Sequence, residues 1–586
     1  MPRPWWERYD GLLEEEIQRL EDAGFRCEVD EELKQRGLLS LHLLGTVEGK
    51  EMRFEARYPE HYPYFHPEVF TDDVRLAHHQ NIRAGNLCLL EPSTEVWHTG
   101  YSLAGLLEKN LIKTIKAGNA KTVEETGIEE VPQPEPISEY MLFSIPGSIL
   151  FDGSWEVPTH INDGILRIKL LIADKSFVAS INAVEDSKGN CILSSDKALN
   201  ENLQDNRDLT GRWIRVSDIL HVTDNLKDMD SNKIMTKLQG IDPSLNTLKD
   251  NQYDITGILF REETEQRKEG DGWIFILRHS SHEQVKKGKK TVVRLRTTPY
   301  LLRGSRAGRD DLSARVPFRD LLKSKTVTLI GLGCIGAPIA FELARAGVGE
   351  LRIMDSDRIE AGNAVRWSLG FAYAGINKVI AVSEFIHKNI PYTKVIDKIG
   401  KVGGVEFPGE ISQETQGQML ESILQGTDLI IDATGEDGVN HFLSEMAVEM
   451  NIPIIFVATT VGTWGGDIVR IIPGETKGCW ACYGYLQKDG KLPKPPKDPS
   501  PKAAEIAPRG CAAPTFTGNQ FDATIIAMAC VRTAVGTLLR GSDAYPLNYD
   551  DVTTIRLRDD EGNAVMPVFE SHPLGLHGLC KSSQHR

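Results

Sequence analysis

Gly331, Gly333 and Gly336 stand in TVTLIGLGCIG, between a short apolar run over residues 327–330 and a stretch over 337–346 with helical apolar spacing. Glycines so placed make a tight turn from a buried strand into a helix, and the helix N-terminus offers its N–H groups to an anion. Asp355 follows at the end of a second strand, where a carboxylate holds a ribose hydroxyl. Asn363, Arg366 and Lys378 come next. Two cations there suit a triphosphate better than a dinucleotide's pyrophosphate. Asp432, in LIIDATGED, ends another apolar strand beside the same crevice, where a carboxylate can hold Mg²⁺ against phosphates. The set points to ATP. A dinucleotide-dependent oxidoreductase would leave Arg366, Lys378 and Asp432 without a use.

The second group of reactive residues is the cysteines. Nine of them over 586 residues, mostly singletons, do not make a disulfide framework. Cys88 lies in LCLL, shortly after His79-Gln80-Asn81-Ile82 and before Trp97. An acyl carrier needs an accessible thiolate, and an amide such as Asn81 can donate to the oxyanion formed when an amine attacks. The competing expectation is a small core hydrophobe among Leu87, Leu89 and Leu90. Cys511 follows the Pro/Lys-rich stretch KLPKPPKDPSPKAAEIAP and precedes a long helix expected from about Asp522. A thiol on such a loop can be carried to an activated acyl group. Cys479 and Cys482 form a CxxC; one pair cannot close a four-cysteine zinc site, and the remaining candidates, His577 and Cys580, are far along the chain. Cys191 and Cys530 are expected in the core. Cys334 is assigned no chemistry.

These residues need elements to position them. The chain is too long for one core, and three or four domains are expected. Residues 1–130 begin with an amphipathic helix carrying Leu12, Leu13, Ile17 and Leu20, followed by strands over 38–44, 52–58 and 69–71 and a proline loop between the last two. VPQPEPISE, from residue 131, fits a linker, and the rest of 131–310 is strand-rich with polar turns. Residues 311–586 alternate strand and helix, a parallel α/β pattern. Net charge is −16, which argues against non-specific binding of nucleic acid or anionic membranes. The first residues lack an apolar leader and no run approaches the span of a bilayer, so a cytoplasmic protein is expected.

GLGCIG, MDSD, the Asn363-Ala-Val-Arg366 spacing, INK at Lys378 and DATG at Asp432 resemble the adenylation domain of ubiquitin-activating enzymes and of their ThiF- and MoeB-type bacterial relatives. The resemblance implies a Rossmann-like fold in which Asp355 binds ribose, Asn363, Arg366 and Lys378 the phosphates, and Asp432 magnesium. Related enzymes bind structural zinc through two CxxC pairs and supply an arginine across a homodimer; Arg306 or Arg309 could play that part here. Cys511 matches the position of their thioester cysteine. Residues 1–130 resemble the ubiquitin-conjugating fold, with Cys88 as nucleophile, Asn81 at the oxyanion, and Gln80 in place of the usual proline. Residues 131–310 could then be an inactive adenylation-like domain.

As a whole the chain is similar to the fused activating and conjugating proteins of bacterial CBASS antiphage operons. That family implies adenylation of a protein's free C-terminus, from a cGAS-like nucleotidyltransferase or a ubiquitin-like protein. Transfer through Cys511 and Cys88 to an amine on an acceptor would follow. The alternatives are a sulfur-carrier activating enzyme and a non-catalytic scaffold that binds a ubiquitin-like partner.

Overall fold

The computed structural model describes the chain apart from residues 1–2, 91–96, 127–133, 205, 224–225, 227–228, 247–252, 288–289, 317, 405–413, 500–516 and 582–586. It divides into two compact units, one of residues 1–151, 155–194 and 208–306, the other of 152–154, 195–207 and 307–586. Residues 1–151 and most of 155–306 thus fall in the first unit.

In the first unit, β1 (Arg26–Val29), β2 (Leu39–Val47), β3 (Lys50–Tyr58) and β4 (Glu68–Phe70) form an antiparallel meander in that order. Leu39, Leu41 and Leu43 alternate inward along β2, and Phe54 and Ala56 along β3. They meet Leu13 and Leu20 of α1 (Leu12–Asp22) and Leu103, Leu107 and Leu111 of α2 (Leu103–Asn119). β1 was not expected, because RCEV has too few apolar residues to stand out.

The same unit continues with β5 (Gly147–Phe151), β6 (Asp163–Ala173), β7 (Phe177–Asp186), β8 (Cys191–Ser194), β9 (Arg207–Arg215), β10 (Tyr253–Glu265), β11 (Lys268–Lys287) and β12 (Lys290–Arg306). Their order is β5-β12-β11-β10-β9-β6-β7-β8, and β5 also pairs with β7, so the sheet closes on itself. Consecutive strands β6–β7, β7–β8, β10–β11 and β11–β12 pair antiparallel. The sheet also holds the parallel pairs β9–β10, β12–β5 and β5–β7, and its antiparallel hairpins differ from the all-parallel centre of a doubly wound domain, the form expected for 131–310. Along β10, Ile255 and Leu259 face a core with Trp213, Trp273 and Phe275, while Ile258 and Phe260 face one with Ile234 and Leu238 of α3 (Ser231–Ile241). Cys191 is exposed at the start of β8, not in the core as expected, because β8 is an edge strand.

The second unit is a sheet of β13 (Thr326–Ile330), β14 (Glu350–Met354), β15 (Lys394–Lys398), β16 (Leu429–Asp432), β17 (Ile454–Thr459), β18 (Gly465–Ile471), β19 (Val552–Arg558) and β20 (Ala564–His572), in the order β15-β14-β13-β16-β17-β18-β19-β20. The first five positions are parallel and the rest antiparallel. Both faces are covered, which is why the central strands are apolar throughout. Val327, Leu329 and Ile431 meet α4 (Gly336–Ala346), α5 (Lys378–Asn389) and α9 (Gln520–Leu538). Ile330, Ile430 and Phe456 meet α6 (Gln416–Leu424), α7 (Asp437–Glu449) and α8 (Trp480–Lys488). By length and composition α9 could cross a bilayer, contrary to the sequence expectation, but two-thirds of its apolar stretch is buried in this core. Cys530, on α9, is fully buried there.

Candidate functional site

The chain runs from β13 to β14 and β15 on one side and returns to β16 on the other, so the strand order reverses at β13. Ligands of open α/β sheets bind at such a point, beyond the strand C-termini. A cavity of about 160 Å³ opens there, lined among others by Gly331, Gly333, Asp355, Asp357, Lys378, Lys401, Thr434 and Glu436. Gly331 has φ +88°, and a Cβ on it would sit 2.8 Å from the Ala433 carbonyl carbon. A Cβ on Gly336 would lie 1.9 Å from the Gly331 oxygen, so only glycine lets α4 start this close to the turn.

Asp355 is pinned by its own loop. Its Oδ2 accepts the Leu332 N–H at 2.7 Å and its Oδ1 the Asp357 N–H at 2.7 Å. Lys378 Nζ, at the start of α5, donates to Asp357 at 2.7 Å and lies 3.7 Å from Asp355. Burial pushes the Asp355 carboxyl up, against the pull of Lys378. Arg366 donates to Asn363 Oδ1 at 2.9 Å, and Asn363 donates to Glu360 at 2.9 Å. This pair sits on a short turn (Ala361–Arg366) tied to the glycine turn by Trp367, whose Nε1 donates to the Leu332 carbonyl at 2.9 Å. Burial lowers the Arg366 pKa from its ordinary value.

Asp432 ends its strand next to Ala433 and Thr434 of the cavity lining. It is fully buried, its Oδ1 accepting from Thr434 N and Oγ1 at 3.0 and 2.7 Å and its Oδ2 from Asn440 at 2.8 Å. The two oxygens thus tie the end of β16 to the following turn and to α7. Asp355, Asp357 and Glu436 are the carboxylates that line the cavity, and Lys401 lies 3.8 Å from Glu436. Glu436, Lys401, Asp357 and Trp367 were missed in the sequence, although Glu436 stands in the same DATGED run as Asp432.

Cys88 is half-buried, with its N–H donating to the His79 carbonyl at 2.8 Å. Gln80, where a proline was expected, holds the turn through its side chain: Oε1 accepts from Leu76 N at 2.8 Å, and Nε2 donates to the Thr71 and Gly85 carbonyls at 3.2 Å each. Asn81 Oδ1 accepts from Arg83 N and Ala84 N at 3.0 and 2.7 Å, which fixes the amide on the loop. Trp97 is buried and donates to the Pro63 carbonyl at 2.9 Å. Cys511 lies outside the described residues.

Folding brings Cys580 to the CxxC pair. Cys479 Sγ is 3.8 Å from Cys482 Sγ and 3.5 Å from Cys580 Sγ. Thiolates on one tetrahedral zinc, with bonds of about 2.3 Å, stand roughly 3.8 Å apart, so this trio fits the ion. The His577 N–H donates to Cys482 Sγ at 3.4 Å, but its ring is turned to Asp489 at 3.0 Å. Arg306 donates to the Thr264 carbonyl at 3.0 Å, and Arg309 pairs with Asp196 at 2.8 Å, so both are used within their own units. Cys334 packs against the core beside the glycine turn.

Residues 311–553 match the ThiF family, and the chain carries a ThiF-family adenylation domain. Along nearly its full length it is similar to the uncharacterized protein y4oA of Sinorhizobium fredii, 27% identical over 98% of this chain and 97% of that one. It is 32% identical to the ATP-dependent ubiquitin transferase-like protein Cap2 of Enterobacter hormaechei, over 27% of this chain and 24% of Cap2. To the sulfur carrier protein ThiS adenylyltransferase of Escherichia coli it is 26% identical, over 28% of this chain and 59% of that protein. Among solved structures, E. coli MccB with MccA-N7isoAsn matches at a TM-score of 0.32 and 18% identity, covering 45% of this chain and 68% of that one.

Proposed function

We propose that the chain uses ATP to adenylate the C-terminal carboxylate of a protein and carries the acyl group, as a thioester, to an amine. Its acyl donor is a cGAS-like nucleotidyltransferase or a ubiquitin-like protein. The observation that carries the adenylation step is the cavity at the β13 reversal, where the glycine turn, Asp355 and Lys378 converge inside the ThiF-family match. Asp355 holds the ribose, while Lys378 and Arg366 meet the phosphates. Bound magnesium would neutralise phosphate charge; Asp432, with the wall carboxylates Asp355, Asp357 and Glu436 beside it, would supply the oxygens to hold it. The carboxylate oxygen attacks the α-phosphorus and pyrophosphate leaves. The Cys511 thiolate then attacks the acyl carbon and AMP leaves. Cys88 takes the acyl group by thioester exchange, and an amine releases it as an amide. Cys479, Cys482 and Cys580 would hold a structural zinc.

The second module supports conjugation over sulfur transfer, since a sulfur-carrier enzyme has no use for Cys88. ATP–pyrophosphate exchange tests the first step. The wild-type chain is expected to exchange in the presence of its acyl donor, and Lys378→Ala to lose about 100-fold, the scale of one lost transition-state contact. Equal exchange by the two proteins would remove Lys378, and with it this cavity, from the reaction.

A further inference from the structure

We propose that Glu135 is the carboxylate that receives the acceptor amine as it attacks a thioester on Cys88, an inference that rests on reading Cys88 as the acyl carrier. Glu135 belongs to the segment that reads as a linker in the sequence, yet part of that segment is docked on the Cys88 loop. Glu135 Oε1 accepts the His79 N–H at 3.2 Å, and the His79 carbonyl accepts the Cys88 N–H at 2.8 Å. One residue, His79, therefore links the Glu135 carboxylate to the Cys88 backbone. His79 holds a left-handed φ of +60°, unusual for a side chain of its size, and is buried, so the loop is held in place from both sides.

The docking is built by two adjacent glutamates of β10. Glu262 accepts from Ser138 N and Oγ at 2.9 and 3.1 Å and fixes the linker, while Glu263 holds His78 of the Cys88 loop at 2.9 Å. Arg267, at the tip of the same hairpin, donates to the Ala117 and Ala120 carbonyls at the end of α2. Glu135 Oε2 is buried and has no hydrogen-bond partner among the described residues. A buried carboxylate oxygen left unpaired is costly unless something arrives to meet it. Tyr140 lies beside Cys88 and its hydroxyl, held protonated by burial, is a hydrogen-bond neighbour of the Glu135 carboxylate that the arriving amine would share or displace.

An acceptor lysine is an ammonium ion near neutral pH and must shed a proton to attack. At Glu135 the carboxylate binds the ammonium and takes its first proton, the freed amine bonds to the acyl carbon, and the second nitrogen proton passes to water. The carbon–sulfur bond breaks, Cys88 leaves as thiolate, and the proton returns from Glu135 to the sulfur or to water. The products are an amide and the free thiol.

The test bypasses the upstream steps. Full-length protein with Cys511→Ala is acylated at Cys88 by a Gly-Gly peptide thioester, checked by peptide mass spectrometry. Discharge is then followed with free lysine and with hydroxylamine, which is neutral already. Glu135→Gln is expected to slow discharge to lysine by roughly 100-fold, leaving acylation and hydroxylamine discharge unchanged, with Glu135→Asp between the two. Equal lysine discharge by parent and Glu135→Gln overturns the inference. So does an equal loss with hydroxylamine or of acylation, which would make Glu135 structural. A parent that neither acylates at Cys88 nor discharges to lysine overturns the reading of Cys88 itself, and the role of Glu135 with it.

Discussion

At the scale of single residues, buried carboxylates divide by what they accept from. Asp432 has both oxygens bonded, one to Thr434 and one to Asn440 of α7, whereas Glu16 of α1 is buried with Leu103 N at 2.6 Å and the Tyr58 hydroxyl at 3.3 Å on one oxygen. Burial pushes the Glu16 carboxyl above its ordinary 4.5, outweighing the bonds from Leu103 and Tyr58. The folded state then binds a proton more tightly than the unfolded chain. Its stability from this group is present below about 4.5 and is lost as pH rises from there through the raised folded value. Glu16→Gln keeps an acceptor for Leu103 and removes the charge, so between pH 5 and 8 its unfolding free energy should fall less than the parent's. Glu16→Ala should lose about 1–3 kcal/mol by stranding the Leu103 N–H. Urea unfolding at the two pH values checks both; a parent whose stability rises more with pH than that of Glu16→Gln contradicts the burial argument.

At the scale of elements, the glycine turn and α4 are one device. Their close approach makes Gly336→Ala a direct test, because its Cβ would meet the Gly331 oxygen at 1.9 Å and the backbone must shift. A loss of about 1–3 kcal/mol is expected, together with loss of nucleotide binding read by calorimetry; an unchanged melt and affinity would show that the turn is looser than described. This turn was legible in the sequence because glycine spacing and apolar runs report backbone geometry directly. So were the meander strands and α4, α5 and β13. The hydrogen bonds that fix Asp432 were not legible, because a carboxylate at a strand end reads the same whichever way its oxygens turn. Cys580 could not be joined to Cys479 from spacing alone, since folding, not proximity in the chain, brings them within 3.5 Å. The closure of the central sheet was equally hidden, as it depends on β5 pairing with both β12 and β7.

At the scale of the whole molecule, the chain joins a ThiF-family adenylation domain to a unit bearing a held thiol, Cys88. In the proposed relay a second thiol, Cys511, takes the acyl group from the adenylate. The most direct measurement is intact-protein mass spectrometry of wild type, Cys88→Ala and Cys511→Ala after incubation with ATP, Mg²⁺ and a cGAS-like nucleotidyltransferase as acyl donor. The account expects a thiol-labile adduct on wild type, an adduct stalled at Cys511 in Cys88→Ala, and none in Cys511→Ala. An adduct that persists in Cys511→Ala, or none on any of the three, would contradict it.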